Sequence, residues 1–250
     1  MNKKTFILNS TAILVIASIV LFSACKKSNV DNNNDQQVSG LMAFNLVPDK
    51  TVTIAIGGNL LEGSPLAFNS YTGVYLPVFP GTRTVESFDY PGNSPLASAS
   101  DSFAVDKLYS VFVVGTSGNY QNIIVNDKVE NLSSSSGQAY IRYINAINGA
   151  ANASVTISGS SANNTNIAFG TVSDFIPLTP GSTTITVTNG STVNVNRTIT
   201  TEEKKVYTVL LTSGATSSDP AQIKYITNGV LNDSASGQRV SSSSQTTTIK

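Results

Sequence analysis

The segment YLPVFPGTRTV (residues 75–85) returns a hundred residues later as FIPLTPGSTTI (175–185), with Pro77, Pro80 and Gly81 answered by Pro177, Pro180 and Gly181. Two further blocks recur in the same order. FNLVPDKTVTIAIGG (44–58) answers YINAINGAANASVTISG (143–159), and KLYSVFVVG (107–115) answers KVYTVLLTSG (205–214), so that Tyr109 recurs as Tyr207. A shared β-rich composition would not preserve both the block order and the Pro-x-x-Pro-Gly spacing. The chain is therefore one unit written twice, and an internal repeat constrains the architecture before any local reading does. Each unit is about 95 residues, enough for a domain. The units span 40–131 and 137–233, with NLSSSSG (131–137) as the junction.

Within each unit the apolar period is two. Val52, Ile54 and Ile56 alternate with Thr and Ala; Ile185 and Val187 alternate with Thr; Tyr207, Val209 and Leu211 do likewise. Such alternation marks strands with one buried face. Gly57-Gly58, Pro80-Gly81, Pro91-Gly92 and Pro180-Gly181 punctuate them as turns, and no helical stripe follows the leader. About seven strands per unit predict an all-β protein of two tandem immunoglobulin-like β-sandwich domains; a small barrel is the alternative. Tyr109 and Tyr207 belong in the two cores, and the prolines read as stiff turns that protect edges.

The N-terminus reads differently. Lys3 and Lys4 precede an apolar run, Thr11–Phe22, then Ser23, Ala24 and the only cysteine, Cys25. Positive, apolar and small in that order is a secretory leader, and the run is short for a membrane span of about 20 residues. The small pair before Cys25 resembles a bacterial lipobox, although Phe22 departs from the usual aliphatic residue. The resemblance implies cleavage after residue 24 and lipidation of Cys25, with several acyl chains holding the protein on a membrane. Residues 25–39 form a flexible tether and 234–250 a Ser/Thr-rich tail. Lys26, in place of an aspartate retention signal, implies by the same resemblance the outer membrane, surface exposure being the open question.

Composition excludes more than it assigns. Removing residues 1–24 leaves 13 basic and 15 acidic side chains, a net charge of −2, with no Lys/Arg cluster after Lys27. A nucleic-acid partner would require a basic surface. The chain has no histidine, which removes the usual general base, the Ser-His-Asp triad and the commonest metal ligand. A carboxylate pair could still hydrolyse glycosides, but the acids are scattered, and Glu202 and Glu203 are neighbours that point to opposite faces if extended. DNNND (31–35) lacks the glycine of a calcium loop and places Met42 where its glutamate belongs. These features predict no enzyme, no cofactor and no metal.

The strand ending VTIAIGG, the block YLPVFPG and the block LYSVFVVG, with their second-half equivalents, resemble the domain of unknown function 4397 family over residues 40–131 and 137–233. The resemblance implies extracytoplasmic β-sandwich domains in tandem and transfers no catalytic residue. Phe175 stands where repeat 1 has Tyr75.

The repeats differ at their edges. Repeat 1 has Tyr90 beside PGNSP and Tyr120 beside SGN, where repeat 2 has no aromatic. If the loops 57–65, 90–95 and 115–120 share one end, Leu60, Leu61, Tyr90 and Tyr120 form a candidate patch for a glycan or a protein edge. Seven-strand topology starts the first strand from that same end, which would turn the patch toward the tether. The function expected from sequence is a non-catalytic, lipid-anchored envelope protein acting as a binding or adhesion module for glycan or protein. A structural accessory subunit of an envelope assembly is the alternative, and a carboxylate-dependent hydrolase ranks below both.

Overall fold

The computed structural model describes residues 37–134, 137–149, 152–161, 163–190, 193–216, 218–232 and 239–241. The leader, Cys25, the tether up to residue 36 and most of the tail lie outside the described residues.

Repeat 1 contains β1 (Ser39–Asn45), β2 (Val52–Ile56), β3 (Asn59–Leu60), β4 (Ser70–Tyr71), β5 (Leu76–Val78), β6 (Gly81–Asp89), β7 (Ser94–Phe103), β8 (Leu108–Thr116) and β9 (Asn119–Asn126). Its outer sheet runs β3-β2-β6-β7; its inner sheet runs β4-β1-β8-β9, with β5 also on β1. A short 3-10 helix (Val129–Asn131) leads to repeat 2: β10 (Ala139–Ala146), β11 (Ala153–Ile157), β12 (Asn163–Ile167), β13 (Ile176–Leu178), β14 (Gly181–Asn189), β15 (Val193–Thr201), β16 (Lys205–Thr212), β17 (Gln222–Asn232) and β18 (Arg239–Ser241). These form an outer sheet β12-β11-β14-β15 and an inner sheet β13-β10-β16-β17-β18. The protein is all-β, two tandem sandwiches.

The strand count is higher than the seven expected because short strands pair inside what the sequence presents as turns. β5, with Pro77 opposite Gly40, pairs only with β1. An edge accommodates a residue that lacks an N–H. β18 pairs with Val230–Asn232 of β17, so part of the Ser/Thr-rich tail contributes a strand, a point the sequence leaves open.

The outer sheets follow the period of two. Ile185 and Val187 on β14 are fully buried while Thr184, Thr186 and Thr188, which alternate with them, are partly exposed. The inner sheets do not alternate, because every residue of β10 is buried. One face of each inner sheet packs on its own outer sheet: Leu41 and Val111 with Ile54, Val85 and Phe103 in repeat 1, and Ile141 and Val209 with Val155 and Ile185 in repeat 2. Tyr109 and Tyr207 belong to these cores. The Tyr109 hydroxyl accepts from the Ala104 N–H and donates to the Ser102 carbonyl, both at 3.0 Å, and the Tyr207 hydroxyl accepts from the Glu202 N–H at 2.9 Å.

The second faces meet each other. Met42, Phe44, Phe112 and Val114 of repeat 1 pack with Ile144, Leu210 and Ile226 of repeat 2 in a third core. There Phe44 stacks on Phe112 at 4.7 Å and on Tyr71 at 5.5 Å. The sandwiches therefore stand side by side, sheet against sheet.

A closed polar ring sits within this seam. Arg142 Nη1 donates to Asp127 Oδ1 at 2.6 Å, Nη2 to Ser110 Oγ at 2.7 Å and Nε to Thr208 Oγ1 at 3.0 Å. Thr208 donates to Asn228 Oδ1, Asn228 Nδ2 donates to the Tyr75 hydroxyl, and Tyr75 donates to Asp127 Oδ2 at 2.6 Å. Ser110 Oγ also donates to Asp127 Oδ2. The guanidinium lies 4.5 Å from the Phe175 ring centroid and 5.6 Å from that of Phe112. Arg142 and Asp127 are 2% and 0% exposed.

Strand direction gives the pair a polarity. β1 runs parallel to β8 and β10 parallel to β16, with Gly40 beside Leu108 and Tyr140 beside Val206. Arg142, near the start of β10, reaches Ser110 near the start of β8, while Asn148 Nδ2, just past β10, lies 3.5 Å from the Gly115 carbonyl near the end of β8. The two sandwiches thus point the same way. Chain entry at residue 38, the linker after Asn126 and the end of β17 gather at one end. The turns following β1, β6, β8, β10, β14 and β16 gather at the other.

Arg142→Met installs the residue that repeat 1 carries at the equivalent position, Met42, and strands Asp127 in the seam. Urea denaturation should show a loss of about 3–5 kcal/mol, the range for removing one partner of a buried pair. Adding Asp127→Asn should recover at least half of it.

Burial pushes the Tyr207 hydroxyl up to about 12 and raises those of Tyr71 and Tyr143; burial and the Asp127 carboxylate raise Tyr75. With folded values above the unfolded value of about 10, these groups stabilise the fold in full below pH 10 and lose that contribution as pH rises through the folded values. Urea midpoints should therefore hold level to roughly pH 9.5 and fall between about pH 10 and 12, in step with tyrosinate absorbance.

Candidate functional site

The end of the molecule opposite chain entry is built around the turn that follows β1. Asn45 is buried. Its Nδ2 donates to the carbonyls of Lys50 at 2.8 Å and Leu66 at 2.9 Å, and its Oδ1 accepts from the Val47 N–H. That side chain fixes the 46–51 loop, which then organises its neighbours. Lys50 Nζ pairs with Asp89 at 2.7 Å, and the Tyr90 N–H donates to the Thr51 carbonyl at 2.8 Å. The Tyr120 hydroxyl donates to Asp49 Oδ2 at 3.0 Å. Burial and the Asp49 carboxylate push the Tyr120 hydroxyl up, and the hydrogen bond to Asp89 raises the Lys50 ammonium.

Tyr90 and Tyr120 are therefore brought to one end, tied through residues 49–51. Tyr90 is 51% exposed, whereas Tyr120 is half-buried against the repeat 1 core. Leu60 and Leu61 are not part of this end. Leu60 pairs with Ala55, and β2 reaches the Tyr90 turn only at Val52, opposite Asp89. That displaces Leu60 by three residues, roughly 10 Å along the strand. Leu60 lies on the flank, 64% exposed, and Leu61 packs partly buried against the core. The four-residue patch expected from sequence is thus divided. Its orientation is also corrected, since the parallel pairing of β1 with β8 starts the chain at the end away from Tyr90 and Tyr120.

Sequence reading missed Asn45, Asp49 and Lys50. The first had a signal: asparagine recurs at 45 and 145, and Asn145 likewise donates to two carbonyls, those of Ile167 and Ala168, and accepts from the Ile147 N–H. The other two required knowledge of which turns adjoin.

Between the ends of the two sandwiches runs a groove of about 680 Å³, lined on one side by Pro48, Asp49, Thr116 and Ser117 and on the other chiefly by Asn148 and the 213–221 loop. A smaller cleft of about 210 Å³ opens over the seam at the entry end, where Lys128 and Asp174 pair across 3.7 Å. The Arg142 and Asp127 groups beneath it are already bonded to one another and to the ring. Among the described residues, no group of three or more His, Cys, Asp or Glu side chains is placed to hold a metal. No helix among them is long and apolar enough to cross a membrane.

No curated protein matches the chain. Among solved structures, one match is a Bacteroides fragilis crystal structure described as a "putative cell adhesion protein", 10% identical, covering 76% of this chain and 97% of that one at a TM-score of 0.21. A family model, that of the domain of unknown function DUF4397, matches twice, over residues 39–146 and 139–240. The two matches overlap on β10, so the strand that opens repeat 2 also completes the first match. The chain belongs to the DUF4397 family and carries its domain in tandem.

Proposed function

We propose that this protein is a non-catalytic module of the cell envelope, lipid-anchored to the outer membrane through Cys25, that binds a glycan or a protein at the end of the sandwich pair remote from its tether. The observation that carries the reading is the shared direction of the two sandwiches. Chain entry, the linker after Asn126 and the end of β17 lie at one end, which leaves six turns from two repeats at the other, with an exposed Tyr90 and a half-buried Tyr120 among them. An anchor at Cys25 would join the sandwiches through the segment that enters at the other end. Aromatic rings with polar tips are well suited to such contacts.

The double change Tyr90→Ser and Tyr120→Ser should weaken binding to a partner captured by residues 26–250 by about tenfold or more, as for loss of central interface aromatics, with little change in melting temperature. Unchanged affinity would exclude this end as the site. A large drop in melting temperature would assign the rings to structure.

Cys25→Ser should abolish palmitate labelling and release the protein from the membrane fraction. Labelling that persists in that variant, or an intact leader on the mature wild-type protein, would remove the lipid anchor from the proposal.

A second reading, an accessory subunit of an envelope assembly, draws on the flank of repeat 1. Leu60 and Phe79 are 64% and 60% exposed, where repeat 2 carries Ser161 and Thr179 at the equivalent positions.

A further inference from the structure

We infer that the groove between the far ends of the two sandwiches is a binding site for a neutral, hydroxyl-rich glycan. The inference rests on the binding-module reading and narrows it to a site and a ligand class. At about 680 Å³ the groove falls within the range of roughly 300–1,000 Å³ typical of small-ligand sites, and neither repeat forms it alone. Between apolar walls that include Pro48, Ile147 and Pro220, its lining presents hydroxyls such as those of Thr116 and Ser213, the Asn148 amide, and the carboxylates of Asp49 and Asp219. No Lys, Arg or His lines it among the described residues, so it offers no counter-charge to a sulfated, phosphorylated or uronate chain. Two carboxylates in a groove without a cation favour a ligand that donates hydrogen bonds, as the hydroxyls of a neutral sugar do.

The walls are set before any ligand arrives. Asp49 Oδ2 accepts from the Tyr120 hydroxyl, and Asp219 Oδ2 accepts from the Thr216 N–H at 2.9 Å. Each retains an Oδ1 with no hydrogen bond from the described residues. Gly214 lies so close to Asp219 that a Cβ there would collide with it, and a Cβ at Gly115 would collide with the Asn119 carbonyl. The Asn148 N–H donates to Ser213 Oγ at 2.8 Å. Preorganised polar groups lose little on binding, which is what a weakly adhesive ligand such as a sugar requires. Tyr120, packed against the repeat 1 core, braces Asp49 through its hydroxyl.

The test applies residues 26–250, which retain every described residue, to an array of neutral, amine-bearing, sulfated and uronate oligosaccharides, and measures affinity for the strongest neutral hit by calorimetry. Neutral glycans should bind, and both Asp49→Asn with Asp219→Asn and the groove-filling Ala215→Trp should weaken the hit at least tenfold with melting temperature unchanged. Binding retained by both groove variants but lost in Tyr90→Ser with Tyr120→Ser would overturn the groove assignment and leave the binding-module reading standing. Binding confined to sulfated or uronate chains would overturn the ligand class. An array with no hits, together with an envelope protein captured by the same chain, would overturn this inference alone; no hits and no captured partner would overturn both.

Discussion

The Arg142–Asp127 pair sets the relation between the two sandwiches. Burying both charges is expensive, because each loses several kcal/mol of solvation that their attraction only partly restores. The cost is contained here by hydrogen bonding at every nitrogen of the guanidinium. Arg142 uses all three of its nitrogens, and Asp127 accepts from Arg142, Ser110 and Tyr75. What the pair contributes is geometry. Two apolar sheet faces bearing Met42, Phe44 and Phe112 against Ile144, Leu210 and Ile226 could slide over one another with little change in buried area. A charge that must meet a particular carboxylate, with Thr208 and Asn228 on one side and Ser110 and Tyr75 on the other, admits one register.

The ring is also where the duplication has diverged most pointedly. By strand register, Met42 occupies in repeat 1 the position of Arg142 in repeat 2, Ser110 that of Thr208, and Tyr75 that of Phe175. Asp127 and Asn228 each follow the residue paired with the core tyrosine of the neighbouring strand. Two identical faces brought together would place Asp127 against Asp127, or leave Arg142 without an acid. The faces as they stand are complementary, so each repeat's inner sheet fits the other repeat better than a copy of itself. The same reasoning explains why Phe175 lacks the hydroxyl of Tyr75: its ring lies against the guanidinium, and the ring's one phenolic donor comes from the repeat 1 side.

The sandwich class was legible because turns at Pro80-Gly81 and Pro180-Gly181 and alternation on β6 and β14 are local, and because the repeat made each observation twice. The seam was not legible, although its apolar residues were visible. Phe44, Phe112, Ile144 and Leu210 lie on the faces opposite to those of Tyr109 and Tyr207, and period-two reasoning assigns such faces to solvent. Near-continuous apolar runs such as LMAF and VFVV are the mark of a sheet covered on both sides, which was the available signal. The site was half legible. Tyr90 and Tyr120 stand out by comparison of the repeats, but joining them to Leu60 required a register that residue order does not give. The direction of β1 likewise depends on parallel pairing with β8, a non-local choice.

Rigid placement of the two sandwiches connects the seam to the far end. A groove between domains on a flexible linker would exist only in some of its conformations, and any ligand would have to select or impose one of them. Here the third core and the ring fix one sandwich against the other some distance below the groove. Asn45 and Asn145 then carry that order upward: Asn45 donates to the Lys50 carbonyl in the loop that leaves β1, and each accepts from the N–H two residues on, that of Val47 or Ile147. The groove wall formed by Pro48 and Asp49 and the wall formed by Asn148 are thus positioned by the same two strands, β1 and β10, whose opposite faces build the seam. A change at Arg142 that loosened the seam would widen or close the groove without touching a lining residue, so the buried charge and the exposed site are parts of one arrangement.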